Sequence, residues 1–164
     1  MKTIIGITLA VLGFAATIAS AQKVRNEYDT RTDFSKFKTY KWVELPGGRK
    51  IDDWLATYLT TAIQAGLATK GLVKVDSDNA DLYIGYRVAA HEEEKFETYI
   101  YGGGVMVLPI GSIALDMYDM VSKQLVWRST ASKAVEPNLK PKQRQQIVDE
   151  AVRKLLKAYP PKKK

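Results

Sequence analysis

Cysteine is absent from the sequence, and histidine occurs only once, as His91. A chain without cysteine has no thiol nucleophile, no thiolate metal site and no disulfide. It also offers no cysteine to which a lipid can be attached behind an export signal. A single histidine excludes the multi-histidine sites that are typical of catalytic zinc.

Signature motifs of common enzyme classes are also missing. No Gly-x-Ser-x-Gly nucleophile elbow occurs, and "YGGGVMVLPIG" (residues 101–111) lacks the Gly-Lys-Ser/Thr of a phosphate loop. His91 beside the glutamates of residues 92–97 allows a calcium or magnesium site, but such a run is more often a solvated strand or loop. We therefore expect no enzyme: no catalytic residue, no metal ligand and no cofactor. An enzyme with an unrecognised site stays as an alternative.

The formal net charge of +7 is concentrated at one end of the chain. Residues 140–164 contain nine basic and two acidic residues, whereas residues 22–139 are nearly neutral. A nucleic-acid footprint is usually spread more widely, so we expect no nucleic-acid partner. The basic last helix and tail leave peripheral contact with an anionic membrane or polymer as an alternative to a simply solvated surface.

The first 21 residues have the pattern of an export signal. Lys2 precedes an uncharged, largely apolar run, and Ala19, Ser20 and Ala21 form a small-x-small cleavage site. The run is marginal in length for a membrane span. We expect a signal peptide at 1–21, one domain at 22–161 and a basic tail at 162–164. The mature protein is then periplasmic or secreted and carries no lipid.

Apolar residues that alternate predict strands, and apolar residues spaced three or four apart predict helices. One helix is expected from about Asp52 to Lys70, with Gly71 as its C-terminal cap, and a second from about Pro141 to Ala158. Strands are expected at "KVRNEYD", "KTYKWVEL", "GLVKVD", "DLYIGYRVAA", "SIALDMYD" and "QLVWRSTA". This order predicts an α+β, two-layer sandwich: an antiparallel sheet of about five to six strands with two helices packed on one face.

Lysines alternate with aromatic rings in "DFSKFKTYKW" (residues 33–42), a pattern found in nucleic-acid and glycan sites as well as in half-buried strands. Tyr40 and Trp42 fall on one strand face and Lys41 on the other, so we interpret the stretch as core.

Further along, Asp116 is expected to point toward solvent or toward Arg128 on the partner strand, and Asp119 to open a hairpin turn.

The glycine-rich stretch at 102–111 is predicted to be a mobile hairpin tip or a flexible connection, and its apolar neighbours make it the best candidate for a partner-binding loop. The partner is an envelope protein or a small ligand of unknown identity. The candidate interaction residues, including the tail, are Tyr99, Tyr101, Val105, Met106, Leu108, Lys162, Lys163 and Lys164.

Four stretches occur in an order that resembles one protein family: "YDTRTDFSKFKTYKWV", "KGLVKVDSDNADLYIGY", "GSIALDMYDMVSKQLVWRSTAS" and the closing "YPP". The family is the bacterial envelope family called domain of unknown function 4136. The resemblance implies a small exported α/β domain, often a lipoprotein, and implies no activity. The missing lipidation cysteine is a departure from it. We expect a non-catalytic binding or structural accessory domain of the periplasm or envelope.

Overall fold

The structure is a computed structural model that describes residues 22–99, 102–134 and 138–162. The predicted signal peptide therefore lies outside the described residues. The elements in chain order are β1 (Lys23–Tyr28), a 3-10 turn (Phe34–Lys36), β2 (Thr39–Trp42), α1 (Asp53–Ala68), β3 (Val73–Lys74), β4 (Leu82–Tyr99), β5 (Gly102–Asp119), β6 (Leu125–Ala134) and α2 (Pro141–Leu156). Within these ranges, no helix has the length and apolar character needed to span a membrane.

The six strands form one sheet in the order β1-β6-β5-β4-β2-β3. Strands β1, β6, β5 and β4 are antiparallel neighbours, whereas β2 runs parallel to both β3 and β4. The predicted α+β class and strand number are confirmed, but a wholly antiparallel sheet is wrong. The reason is α1, which lies between β2 and β3 in the chain and allows the crossover that parallel neighbours need.

Both helices cover the same face of the sheet, as predicted. The sheet and both helices contribute buried side chains to one core. They include Tyr40, Leu82, Ile84, Leu115, Met117 and Trp127 from the strands, Leu59, Ile63 and Leu67 from α1, and Val148, Ala151, Val152, Leu155 and Leu156 from α2. In an antiparallel pair, residues opposite one another share a face, so the apolar residues of β4, β5 and β6 line up in rows under the helices.

The ends of α1 follow from local hydrogen bonds. Asp52 accepts a hydrogen bond from the N–H of Leu55 at 2.8 Å, which caps the N-terminus. Gly71 has a φ of +79° just beyond the C-terminus, a conformation that glycine adopts without strain. One flank of α1 contacts α2, where a Cβ at Gly66 would overlap the tip of Leu156. The wide apolar arc of α1 is thus shared between the sheet and the second helix.

The stretch "DFSKFKTYKW" belongs to the core, as interpreted from its sequence. Phe37 and Tyr40 are buried, and Trp42 is half-buried against Tyr86, with 5.8 Å between ring centroids. Two of its lysines form ion pairs near the surface: Lys36 Nζ donates to Asp119 at 2.7 Å, and Lys41 Nζ donates to Asp78. The aromatic rings of this stretch therefore pack into the core.

The predicted flexible connection at 102–111 is wrong, because these residues belong to β5. Their backbone pairs residue by residue with β4, from Tyr99 opposite Gly102 to Ala90 opposite Gly111. Glycine and proline are depleted in strands, but pairing with an extended neighbour overrides that weak local preference. The chain therefore places one long hairpin, and not a loop, at this position.

The segment that follows β2 crosses the sheet over Gly85. The N–H of Val43 donates to the carbonyl of Ile84 at 2.9 Å. A Cβ at Gly85 would overlap the carbonyl oxygen of Val43 and lie 2.7 Å from Leu45 Cγ. Backbone atoms on a paired segment cannot move aside as a flexible side chain does, so position 85 requires glycine.

We expect Gly85→Ala to lower the free energy of unfolding by about 1–3 kcal/mol, the usual cost of forcing extra volume into a packed site. Gly48→Ala is the matched control, because a Cβ there would meet Arg87 at ordinary contact distances of 3.5–3.6 Å. Urea unfolding of both variants measures the difference. Equal midpoints would show that the segment does not hold its position over β4.

Tyr159 lies at the other end of the core, between two aromatic rings. Its ring meets Trp127 and Phe34 edge-on, at centroid distances of 5.5 and 5.9 Å. The hydroxyl is buried, and no described residue gives it a hydrogen-bond partner. Burial raises the pKa of Tyr159 to about 12.

The raised pKa of Tyr159 predicts a loss of stability in strong alkali. The folded state holds this proton more tightly than the unfolded chain, so the contribution is complete below pH 10 and is lost as the pH rises from 10 through 12. In Tyr159→Phe we expect this part of the pH dependence to disappear and stability at pH 7 to be unchanged or higher. Urea unfolding at pH 7 and pH 11 measures both effects. A large loss at pH 7 would mean that the hydroxyl is paired.

Candidate functional site

The face of the sheet opposite the helices is polar, and we call it the open face. One row across it joins Glu27, Arg128, Asp116 and Gly85 on four neighbouring strands. A second row joins Arg25, Thr130, Ala114 and Arg87. The alternation of each strand thus places its charged residues on one face and its apolar residues under the helices.

Asp116 is the centre of the open face, where it forms an ion triplet with Arg87 and Arg128. Arg128 Nε and Nη2 donate to the two carboxylate oxygens, both at 2.6 Å, in a bidentate pair. Arg87 Nη2 donates to Oδ2 at 2.7 Å from the strand on the other side. The predicted partner Arg128 is confirmed, and the alternative of a solvent-exposed carboxylate is wrong, because Asp116 is fully buried.

The electrostatics of this ion triplet leave cationic groups at the surface. The hydrogen bonds from Arg128 to Asp116 raise the pKa of Arg128 above its already high ordinary value. Both carboxylate oxygens accept strong hydrogen bonds, so the geometry favours a structural role over acid–base chemistry. Arg87 and Arg128 remain 33% and 28% exposed at their side chains. Their outer N–H groups are suited to contact with an anionic group.

A second site lies at one end of the sheet, between residues 28–35 and residues 160–162, and we call it the end cleft. Its volume is about 480 Å³. The lining residues are Tyr28, Asp29, Thr30, Arg31, Thr32, Asp33, Phe34, Ser35, Pro160, Pro161 and Lys162. Two motifs from opposite ends of the sequence, "YDTRTDFS" and "YPP", therefore meet in one cavity.

Hydrogen bonds inside the loop fix one wall of the end cleft. Asp29 Oδ1 accepts from the backbone N–H and from Nε of Arg31, at 3.0 and 3.1 Å, and hydrogen bonding with Arg31 lowers the pKa of Asp29. Asp33 accepts from Ser35, with the backbone N–H at 3.1 Å and Oγ at 2.7 Å, which caps the 3-10 turn. The motif thus specifies a turn geometry as well as side chains.

Sequence reasoning missed the end cleft, because its walls are separated by more than one hundred residues. It also missed Asp81, whose Oδ2 accepts from the backbone N–H groups of Lys38 and Thr39, both at 2.8 Å. The hydrogen bond from Lys38 is the chief cause that lowers the pKa of Asp81. The available signal was an aspartate directly before a strand, since the side chains of such residues often accept hydrogen bonds from nearby backbone N–H groups.

Asp119 has its predicted turn role and accepts from the N–H groups of Val121 and Ser122.

The predicted interaction residues fall on two separate parts of the molecule. Tyr99 ends β4, and Val105, Met106 and Leu108 belong to β5, so all four lie on the long hairpin. Lys162 is exposed and lines the end cleft instead. Tyr101, Lys163 and Lys164 lie outside the described residues.

His91 is exposed near the middle of the hairpin, where its backbone is opposite Ile110. Among the residues whose side chains the structure describes, no three metal-ligating groups come together. The glutamate run belongs to β4, as a strand, and the side chains of residues 93–97 lie outside those that the structure describes.

The ion triplet yields a stability prediction. In Asp116→Asn two partly buried arginines lose their counter-charge, and we expect a loss of about 3–5 kcal/mol in the free energy of unfolding. Asp78→Asn is the control, because its pair with Lys41 is largely exposed and exposed ion pairs contribute little. Urea unfolding at pH 7 compares the two variants. If Asp116→Asn is as stable as Asp78→Asn, Asp116 has no structural role.

Solved structures with a similar fold include two well-matched chains. A PDZ domain protein from Parabacteroides distasonis matches with a TM-score of 0.58 at 15% identity, over 87% of this chain and 37% of that one. A PelC dodecamer from Paraburkholderia phytofirmans matches with a TM-score of 0.54 at 12% identity, over 83% of this chain and 95% of that one. Identities this low establish a likeness of fold alone.

The comparison by sequence is more specific. No curated protein sequence matches the chain. The family model described as Domain of unknown function (DUF4136) matches residues 24–161, which include all four motifs that carry the resemblance. The match extends over most of the chain, and the protein therefore belongs to the DUF4136 family.

Proposed function

We propose that this protein is a non-catalytic accessory domain of the bacterial envelope that assembles with further copies of itself through its long hairpin. The observation that carries the proposal is the length of that hairpin. Within the described residues, β6 pairs with β5 as far as Ile110, whereas β4 and β5 stay paired for eight more register positions, from Glu92 opposite Pro109 to Tyr99 opposite Gly102. We call this two-stranded extension the arm.

The arm has two open backbone edges. Eight antiparallel pairs extend for about 27 Å, and no third strand accompanies them among the described residues. About half of the N–H and C=O groups in each strand of such a ribbon point away from the partner strand. A two-stranded hairpin is marginally stable alone in water, and an open strand edge is a template for another strand. Addition of a strand from a second molecule resolves both problems.

The two edges of the arm differ in charge. Residues 92–99 contain four glutamates and one lysine, whereas residues 102–109 contain no charged residue. Pairing of two glutamate-rich edges would set like charges side by side, which is destabilising. Pairing of unlike edges avoids this conflict and produces a head-to-tail contact, the type that closes into rings. The PelC structure of similar fold is a dodecamer, which gives a precedent for assembly of this fold.

Other parts of the proposal rest on the sequence and on the ion triplet. The predicted signal peptide and the family resemblance support an envelope location, and the lack of cysteine supports a protein without an attached lipid. The ion pairs of Asp116 support a non-catalytic role, since both oxygens of this buried carboxylate accept hydrogen bonds from arginine. The alternative of membrane attachment through α2 has less support. Its apolar residues Val148, Val152 and Leu155 are buried in the core shared with the sheet and α1, which leaves its basic outer face for contact.

The test is the size of the protein in solution with and without the arm. In the shortened variant, residues 92–109 are replaced by an Asn-Gly turn that joins His91 to Ile110, a connection suited to a directly opposed pair. We expect the mature wild-type chain to sediment as an oligomer and the shortened variant as a folded monomer. Retained helix and strand signals in circular dichroism check that the variant folds.

A control for this experiment removes exposed apolar side chains elsewhere. Trp54 and Val121 are 44% and 91% exposed, and Trp54→Gln with Val121→Lys should leave the oligomer intact. Hydrogen exchange of the wild type gives an independent measurement, because arm amides should gain protection as concentration rises. A wild-type monomer at all concentrations, or assembly without the arm, would overturn the proposal.

A further inference from the structure

The end cleft has the dimensions of a small-ligand site. Its volume of about 480 Å³ falls within the range of roughly 300–1,000 Å³ that is common for such sites. One wall is the loop between β1 and β2, and the other is the segment that follows α2. Neither the assembly of the arm nor the ion triplet uses these residues.

The apolar part of the cleft is rigid. Tyr28 is 38% exposed, and its ring meets Phe34 edge-on at 6.4 Å between centroids. Phe34 is in turn held by Tyr159 at 5.9 Å. Pro160 and Pro161 supply a second inflexible surface. Rings and prolines that are already fixed lose little conformational entropy when a ligand packs against them.

The polar part of the cleft is rich in hydroxyl groups. Thr30, Thr32 and Ser35 line it, together with two cations and two carboxylates. Asp29 and Arg31 neutralise one another through direct hydrogen bonds, and the formal charges of the lining sum to zero. Such a rim favours a ligand that carries no net charge and that both donates and accepts hydrogen bonds.

The polar wall is also preorganised. The N–H of Thr32 donates to the carbonyl of Asp29 at 3.1 Å and closes the turn, while Asp33 caps the next one. Arg31 is 89% exposed at its side chain, yet Nε and Nη2 are held by Asp29. A wall that is already ordered requires little reorganisation on binding.

From these features we propose that the end cleft binds a neutral saccharide of one or two rings. A sugar ring has an apolar C–H face, which packs on Tyr28 and the two prolines. Its hydroxyl groups exchange hydrogen bonds with the threonines, Ser35 and the Asp29–Arg31 pair. The ligand is thus selected by shape and by hydroxyl pattern, and not by charge.

The test uses the mature full chain and two probes, N-acetylglucosamine and cellobiose, in an amide NMR titration. We expect the amide signals of residues 28–35, Tyr159 and Lys162 to shift and to saturate with a Kd on the order of 1 mM for the better probe. In Tyr28→Ala the affinity should fall by at least tenfold, because the exposed ring of the apolar wall is lost. Trp54→Ala is the matched control, an exposed aromatic residue outside the cleft whose loss should change nothing.

A second variant tests the polar rim without changing its shape. Thr30→Val with Thr32→Val removes two hydroxyl groups and should weaken binding several-fold, while the amide spectrum shows that the fold is kept. Inorganic phosphate, added as a third probe, distinguishes an anion site from a sugar site. Saturation by phosphate alone, shifts confined to another surface, or no shift with either sugar would overturn the proposal.

Discussion

Two amphipathic helices share one face of a six-stranded sheet, and their close contact at Gly66 and Leu156 allows both to fit. A helix of 16 residues is about 24 Å long, whereas a strand of 18 residues reaches about 60 Å. Two helices of this length cannot cover the whole of β4 and β5. The hairpin therefore extends beyond the helices because its strands are longer than the helices that cover them. The opposite face, which no described helix covers, is polar.

Charged residues have different structural roles on the open face and in the end cleft. On the open face, two arginines surround one buried carboxylate, and their ion pairs join β4, β5 and β6. In the end cleft, charged residues pair within one short loop and remain near solvent. The first arrangement stabilises the sheet by long-range contacts, while the second shapes a local surface at little cost to the core.

Local features were predictable from the sequence, and long-range ones were not. The alternation of Leu82, Ile84 and Tyr86 identified the buried face, and Gly71 and Asp119 marked a helix end and a turn through local chemistry. Arg87 was missed as a partner of Asp116 because strand register is set by tertiary packing. The same holds for the end cleft and for the parallel course of β2. Glycine and proline misled the interpretation of β5, since their low strand propensity was outweighed by a long partner strand.

The position of β1 has a consequence for how the chain reaches this fold. Its strand partner is β6, and the register joins Lys23 to Ser132, more than one hundred residues later. A chain that is synthesised from its N-terminus presents β1 first and cannot complete the sheet until β6 has followed. Contacts of such long sequence separation form slowly because the intervening chain must first be ordered. Strand β1 can thus take its place in the sheet only after β6 has been made, although it is the first strand of the sheet in chain order.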